Sequence, residues 1–141
     1  YEIRLSLVGS EMCIRDRCDT MRYVELDELF AQSDIISLHV PSLPGQPLVN
    51  AETIAKMKDG VILINTSRGT NVDEDALLAA IESGKVYGAG LDVFAEEPPK
   101  SAALLQHPRV SATPHIGAST IEAQKRIGAE IVDIISEKFG L

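Results

Sequence analysis

The sequence has no apolar run approaching the ~20 residues of a membrane-spanning helix. It has no basic cluster: 13 Lys and Arg stand against 21 Asp and Glu, for a formal charge of −8 and a pI near 4.8. Net acidity without such a cluster excludes a nucleic-acid-binding surface. Its two cysteines, Cys13 and Cys18, lie in no metal or redox spacing, which excludes a disulfide scaffold and a Cys-based zinc site. The stretch Leu5-Ser6-Leu7-Val8-Gly9 is too short and interrupted to serve as a secretory signal. There is no internal repeat and no low-complexity tract. What is present is ordinary for a globular domain: 141 residues, 45% apolar and 24% charged. These features imply a soluble, cytoplasmic protein with no membrane or nucleic-acid partner.

Residues 1–17 read differently from the rest. They hold three Arg and three acidic residues, so the remaining 124 residues still carry −8. The string LVGSEMCIRD within them resembles a translated sequencing-adaptor end. Segment 1–17 is therefore expected to be a non-native leader, with the native chain starting near Cys18.

From Cys18 onward, helical and strand patterns alternate. Leu26, Leu29 and Phe30 share one helical face within 24–32. A β-branched run over 35–40 stops at Pro41, and Pro44, Gly45 and Pro47 mark a loop. Asn50 caps a helix running through Met57, which Asp59-Gly60 ends. Strands follow at 61–64, 86–93 and 110–113. Asp73 caps a helix over 74–83 with Gly84 as its stop, and a short helix occupies 102–106. Ser119-Thr120-Ile121-Glu122 is a capping-box pattern opening a long helix over 120–138. Gly88 and Gly90 thin the third strand so that a helix or ligand can approach. Strands separated by helices imply βαβ units and a parallel sheet. The unalternating VILI implies burial on both faces. The fold class is therefore α/β, a doubly wound parallel sheet.

In open α/β sheets, ligands bind beyond the carboxyl ends of the strands. Here those ends read His39-Val40-Pro41, Asn65-Thr66-Ser67-Arg68-Gly69, Asp92-Val93-Phe94 with Glu96-Glu97-Pro98, and Thr113-Pro114-His115. Parallel strands bring an Arg, one or two acids and a His to one rim. Histidine titrates near neutrality and suits proton transfer. A neighbouring carboxylate fixes a ring tautomer. Arginine offers a planar fork for a substrate carboxylate. The combination fits hydride addition to a 2-oxo acid. Each residue also has a plainer reading: Arg68 as a surface ion-pair partner, His115 as a loop histidine, and Glu96 and Glu97 as a solvated turn. His39 reads as structural or as a shelf for a cofactor, and His107 as an exposed helix-end residue. Asp92 closes an apolar strand, where a carboxylate needs a partner.

Five ordered motifs, SDIISLHVP, NAETIAKMKDGVILINTSRG, VDEDALL, GLDVFAEEP and TPHIGAST, resemble the D-isomer-specific 2-hydroxyacid dehydrogenases. The form HIGASTIEAQ is most similar to their phosphoglycerate dehydrogenase branch. The resemblance implies a Rossmann-type fold, an NAD cofactor, a small 2-hydroxy or 2-oxo acid substrate, and a homodimer or higher homo-oligomer. It assigns the catalytic trio to Arg68, Glu97 and His115. It assigns cofactor contacts to His39, Val40, Pro41, Thr66, Ser67, Arg68, Asp92, His115, Gly117 and Ala118. No metal site is implied.

The G-x-G-x-x-G that lays backbone N–H groups on a pyrophosphate is missing. Gly88-Ala89-Gly90 lies within a strand and lacks the third glycine. The fold is thus expected to be truncated at its N-terminal side. Residues 18–118 would be the C-terminal part of a dinucleotide-binding domain, and 119–141 a helix leading back toward a substrate domain. Three activities stay open: phosphoglycerate dehydrogenase, a sibling acting on hydroxypyruvate, glyoxylate or lactate, and a non-catalytic corepressor that senses dinucleotide.

Overall fold

The computed structural model describes residues 24–42, 44–117 and 119–140. The leader expected at 1–17, the start at Cys18, and Ala118 lie outside the described residues.

Among the described residues, four strands form one parallel sheet: β1 (Ile35–Leu38), β2 (Val61–Asn65), β3 (Val86–Leu91) and β4 (Val110–Ala112), in the spatial order β1-β2-β3-β4. Ile36 lies beside Leu63, Leu63 beside Ala89, and Leu91 beside Ala112. The helices are α1 (Leu26–Gln32), α2 (Ala51–Lys56), α3 (Glu74–Ser83), α4 (Ala102–Leu105) and α5 (Ile121–Phe139), with a 3-10 turn at Gly69–Asn71. Parallel neighbours joined through helices give the α/β architecture expected from the sequence.

Helices α1 to α4 lie side by side, with α3 against β3 and α4 against β4. They supply one of the two helix layers of a doubly wound sheet. The reading of VILI as buried on both faces is corrected here. Val61, Leu63 and Asn65 are buried, whereas Ile62 and Ile64 are only partly so. Strand side chains alternate between faces, and the second face also shows Ile35 and Tyr87 exposed. The core is the first face: Ile36, Leu38, Leu63, Ala89 and Leu91 cluster with Phe30, Ile54, Leu77, Ile81 and Leu104. Full burial of a Leu, Ile or Phe contributes about 1.5–3 kcal/mol. That term dominates over exposed ion pairs such as Lys56–Asp27 and Lys58–Asp34, which add little.

Helix ends follow local chemistry. The Asp73 carboxylate accepts from the N–H groups of Asp75 and Ala76, and Gly84 closes α3 at φ 82°. The helix from Asn50 opens with a reciprocal box that the sequence reading did not identify. The Asn50 side chain accepts from the Thr53 N–H at 3.1 Å, and the Thr53 hydroxyl accepts from the Asn50 N–H at 2.9 Å. The box expected from Ser119 and Glu122 is corrected: Thr120 is the cap of α5, and its hydroxyl accepts from the Ala123 N–H. Sliding the cap by one residue puts Ala123 at the position a box partner would need.

Three strands are shorter than expected, β4 ending at Ala112 instead of Thr113. β1 ends at Leu38 and β3 at Leu91, so His39, Val40, Asp92 and Val93 lie just past the strand tips. Tyr87 is an extra residue in the ladder, since Val61 pairs with Val86 and Ile62 with Gly88. The close approach at Gly88 is made by backbone: a Cβ there would lie 2.7 Å from the Arg109 carbonyl oxygen. α5 has no buried residue, and Ile127, Ile131, Ile134 and Phe139 are exposed along it.

Candidate active site

The four strand tips open onto one rim because the strands are parallel. Adjacent tips are joined there by main-chain bonds. The Asp92 N–H donates to the Asn65 carbonyl at 3.0 Å, and the Thr113 N–H to the Leu91 carbonyl at 2.9 Å.

Two of the three predicted catalytic side chains meet. His115 Nδ1 lies 3.0 Å from both carboxylate oxygens of Glu97. With Nδ1 directed at the carboxylate, Nε2 is the nitrogen left for a reacting group. The His115 hydrogen bond is the main reason the Glu97 carboxyl lies below its ordinary value. Partial burial opposes that shift, and the Phe94 N–H and the His115 charge support it. Glu97 is therefore an ionised acceptor throughout the neutral range. Glu96 pairs instead with Lys100, which separates the roles of the two adjacent acids.

His115 has a backbone φ of 55°, unusual for a residue with a side chain. Such a conformation costs of the order of 1–3 kcal/mol and persists only where its surroundings hold it. The holder is Asp92, which is 6% exposed. Its carboxylate accepts from the Thr113 hydroxyl at 2.5 Å, the Ile116 N–H at 2.9 Å and the Gly117 N–H at 3.0 Å. Residues on both sides of His115 are thus tied to one side chain. This is the partner that a carboxylate closing an apolar strand was expected to need.

Burial pushes the Asp92 carboxyl upward. The three hydrogen bonds, helped by the His115 charge, outweigh it and leave the group below its ordinary value. Its stabilising contribution is then complete above the ordinary carboxyl range and is lost as pH falls through the depressed value. Asp92→Asn has one acceptor oxygen where three donors converge. We expect the variant to lose about 1–3 kcal/mol at neutral pH. Its stability should also fall less steeply than the parent's between pH ~7 and ~3. Thermal melts across that range check this, and an equally steep acid loss in the variant would remove Asp92 as its source.

Arg68 lies on the loop after β2, exposed, and its Nη1 donates to the Ser67 carbonyl at 2.6 Å. The loop is held from inside. Asn65 Oδ1 accepts from the Ser67 N–H at 3.1 Å and from the Ser67 hydroxyl at 2.9 Å, and Asn65 Nδ2 donates to the Arg68 carbonyl at 3.0 Å. Gly69 packs directly on the backbone of Phe94 and Ala95, where a Cβ would overlap the Phe94 carbonyl. This backbone contact, three residues before Glu97, is what brings the Arg68 loop to the Glu97 loop. The Ala95 N–H is held in turn by Glu74 at 2.7 Å.

The remaining predicted positions divide by exposure. His39, Pro41 and Thr66 are exposed at the rim, and Val40 is buried. The His39 ring bonds the Ser37 hydroxyl at 2.8 Å. Ser67 and Asp92 have side chains already engaged within the protein. Gly117 lies against Asp92, with space for a Cβ only at 3.3 Å from its Oδ2. His107 accepts from the Arg109 N–H at 3.1 Å, which shapes the turn into β4. Asn71, 1% exposed at the foot of the Arg68 loop, is a residue that the sequence did not single out. No signal in its immediate neighbours marks it, because its side-chain partners, Val40 and Ser67, lie on two different loops. An apolar cavity of about 420 Å³ adjoins the Glu97–His115 pair, lined by Phe94, Pro98, Leu105 and Pro114 among others. Among the described residues, no helix is long and apolar enough to cross a membrane, and no group of three or more His, Cys, Asp or Glu is placed to hold a metal ion.

The sequence model for "D-isomer specific 2-hydroxyacid dehydrogenase, NAD binding domain" matches residues 8–117, beginning inside the segment set apart as a leader. The hydroxypyruvate reductase of Thermotoga maritima is 54% identical over 125 residues, covering 86% of this chain and 41% of that protein. The chloroplastic D-3-phosphoglycerate dehydrogenase 2 of Arabidopsis thaliana is 49% identical over 115 residues, covering 80% of this chain and 18% of that one. Among solved structures, the D-lactate dehydrogenase of Aquifex aeolicus, complexed with NAD and lactic acid, superposes with a TM-score of 0.75 at 36% identity. It covers 96% of this chain and 45% of the other. The chain thus spans less than half the length of each of these relatives.

Proposed function

Because the chain belongs to the NAD-binding domain family of the D-isomer specific 2-hydroxyacid dehydrogenases, we propose that it serves the interconversion of a 2-oxo acid and its D-2-hydroxy acid. The preferred pair is 3-phosphohydroxypyruvate and D-3-phosphoglycerate. The observation that supports the chemistry is the Glu97–His115 pair, 3.0 Å apart, with His115 held at a strained backbone φ of 55°.

The rim suits the nicotinamide end of a dinucleotide. His39, Pro41 and Thr66 are exposed at the tips of β1 and β2, and Gly117, next to Ala118, presents bare backbone on the side of β4. Val40 backs this shelf, and Ser67 and Asp92 act through the loops they hold. The nicotinamide, when bound, supplies or accepts the hydride at C2 of the acid. In the reducing direction, His115 gives the proton on Nε2 to the oxygen on C2. In the oxidising direction, it takes that proton from the hydroxyl. Glu97 accepts from Nδ1 throughout, orienting the ring and balancing its charge. Arg68 grips the substrate carboxylate with its fork and draws electron density from the adjoining carbonyl. We assign α5 to the path toward a substrate domain, on the basis of its exposed apolar residues.

Hydroxypyruvate is the second reading, favoured by the 54% identity to a hydroxypyruvate reductase. NADH oxidation by the full-length protein, measured with 3-phosphohydroxypyruvate, hydroxypyruvate, glyoxylate and pyruvate, separates them. The first should give the highest kcat/KM, by roughly tenfold or more. A preference for hydroxypyruvate transfers the assignment to the second reading. NADH binding without turnover of any of the four would mark a dinucleotide-sensing module.

A further inference from the structure

Beneath the exposed rim lies a buried polar network. Asn65, Ser67 and Asn71 are 0%, 8% and 1% exposed. Asn71 Nδ2 donates to the Val40 carbonyl at 3.0 Å and to the Ser67 hydroxyl at 3.2 Å, while the Asn71 N–H donates to the Arg68 carbonyl at 3.2 Å. Its own carbonyl accepts from the Val49 N–H at 2.9 Å. One residue therefore bonds the tip of β1, the body of the Arg68 loop and the segment leading into α2.

We infer that Asn71 is a positioning residue, which locks the cofactor-side tip of β1 to the loop carrying Arg68 so that the two move as one piece. A buried amide is worth little net stability compared with an apolar side chain of the same volume, because it must first be desolvated. What it supplies is direction: two donors aimed at two different loops. The Val40 carbonyl and Ser67 hydroxyl lie past the ends of their strands, where the sheet ladder no longer fixes them. Backbone displacement there of about 1 Å is enough to cost a large factor in a positioned reaction. Asn65 completes the lock by gripping Ser67 and Arg68 from the β2 side. The Glu97–His115 pair hangs from other loops, so its geometry should not depend on Asn71.

This inference rests on the reading of Arg68 as the carboxylate clamp. The test uses the full-length protein with 3-phosphohydroxypyruvate and hydroxypyruvate as probes. Asn71→Ala should raise the KM for the better 2-oxo acid and for NADH together, each by roughly tenfold. The pH profile of kcat should stay unmoved. A lower melting temperature with both KM values within about twofold of the parent would make Asn71 merely structural and overturn the inference. Should that variant fail to fold, Ser67→Ala removes only the Asn71–Ser67 and Asn65–Ser67 side-chain links. It should raise the 2-oxo acid KM by about threefold, and no rise overturns the inference equally. Arg68→Ala run in parallel separates the two ideas. An unchanged 2-oxo acid KM in that variant retires the clamp itself. A raised KM there, with none in Asn71→Ala, retires only the lock.

Discussion

His115→Gln in the full-length protein is expected to lower kcat by about 10²- to 10⁴-fold, the usual contribution of a positioned acid–base group. NADH affinity should change little. The asymmetry follows from where the group acts. A proton given to the oxygen on C2 is given as charge develops there, so the interaction belongs to the transition state more than to the bound complex. Glutamine keeps a polar side chain opposite Glu97, which lies 3.0 Å from Nδ1 in the parent. It cannot exchange a proton at neutral pH. The substitution sits at a φ of 55°, so a melt must accompany the kinetics to separate lost chemistry from a collapsed loop. An unchanged rate in a folded variant would retire His115 as the proton donor.

Arg68→Lys is expected to reduce kcat/KM for the 2-oxo acid by roughly two orders of magnitude, mostly through KM, although the charge is preserved. A carboxylate gripped by a guanidinium takes two parallel hydrogen bonds in one plane. An ammonium offers a point charge with no such plane. The Arg68 backbone is tightly held, by Asn65 at its carbonyl and by Gly69 against Phe94 and Ala95. A shorter reach or different geometry at the side-chain tip therefore cannot be absorbed by moving the loop. Steady-state kinetics with saturating NADH measure this. Near-parental KM in Arg68→Lys would mean that a single charge suffices, and would dispose of the bidentate clamp.

Much of the fold was legible because its signals are local. The helix over 74–83 appears with the bounds its Asp73 cap and Gly84 stop set, since both act through residues one turn away. The strands at β1 and β2 announced themselves as apolar, β-branched runs. The errors also have local reasons. Ser119 and Thr120 are both favourable caps by composition, and the structure places the cap at Thr120. VILI suggested two buried faces because the residue type at 62 and 64 reports hydrophobicity, not coverage. How much of Ile62 and Ile64 is covered depends on what packs against the second face. The site was half legible. Arg68, Glu97 and His115 could be named from motif and strand order, but Asn71 could not. Its role consists of three bonds to residues 40, 67 and 68, and nothing in its immediate neighbours encodes them.

The sequence by itself determined the alternation of strands and helices, the parallel sheet and the chemical inventory of its rim, because periodicity, caps and strand-end residues act over a few positions. Tertiary structure alone decided which rim side chains bond within the protein and which stand exposed. Asp92 and Ser67 read as ligand contacts in the sequence, and in the structure their side chains also hold loops. Glu97 and His115, eighteen residues apart, face one another. The reason is physical: a buried polar group must find its partner wherever the packed chain places one, and that place is set by the whole sheet, not by neighbours in the chain.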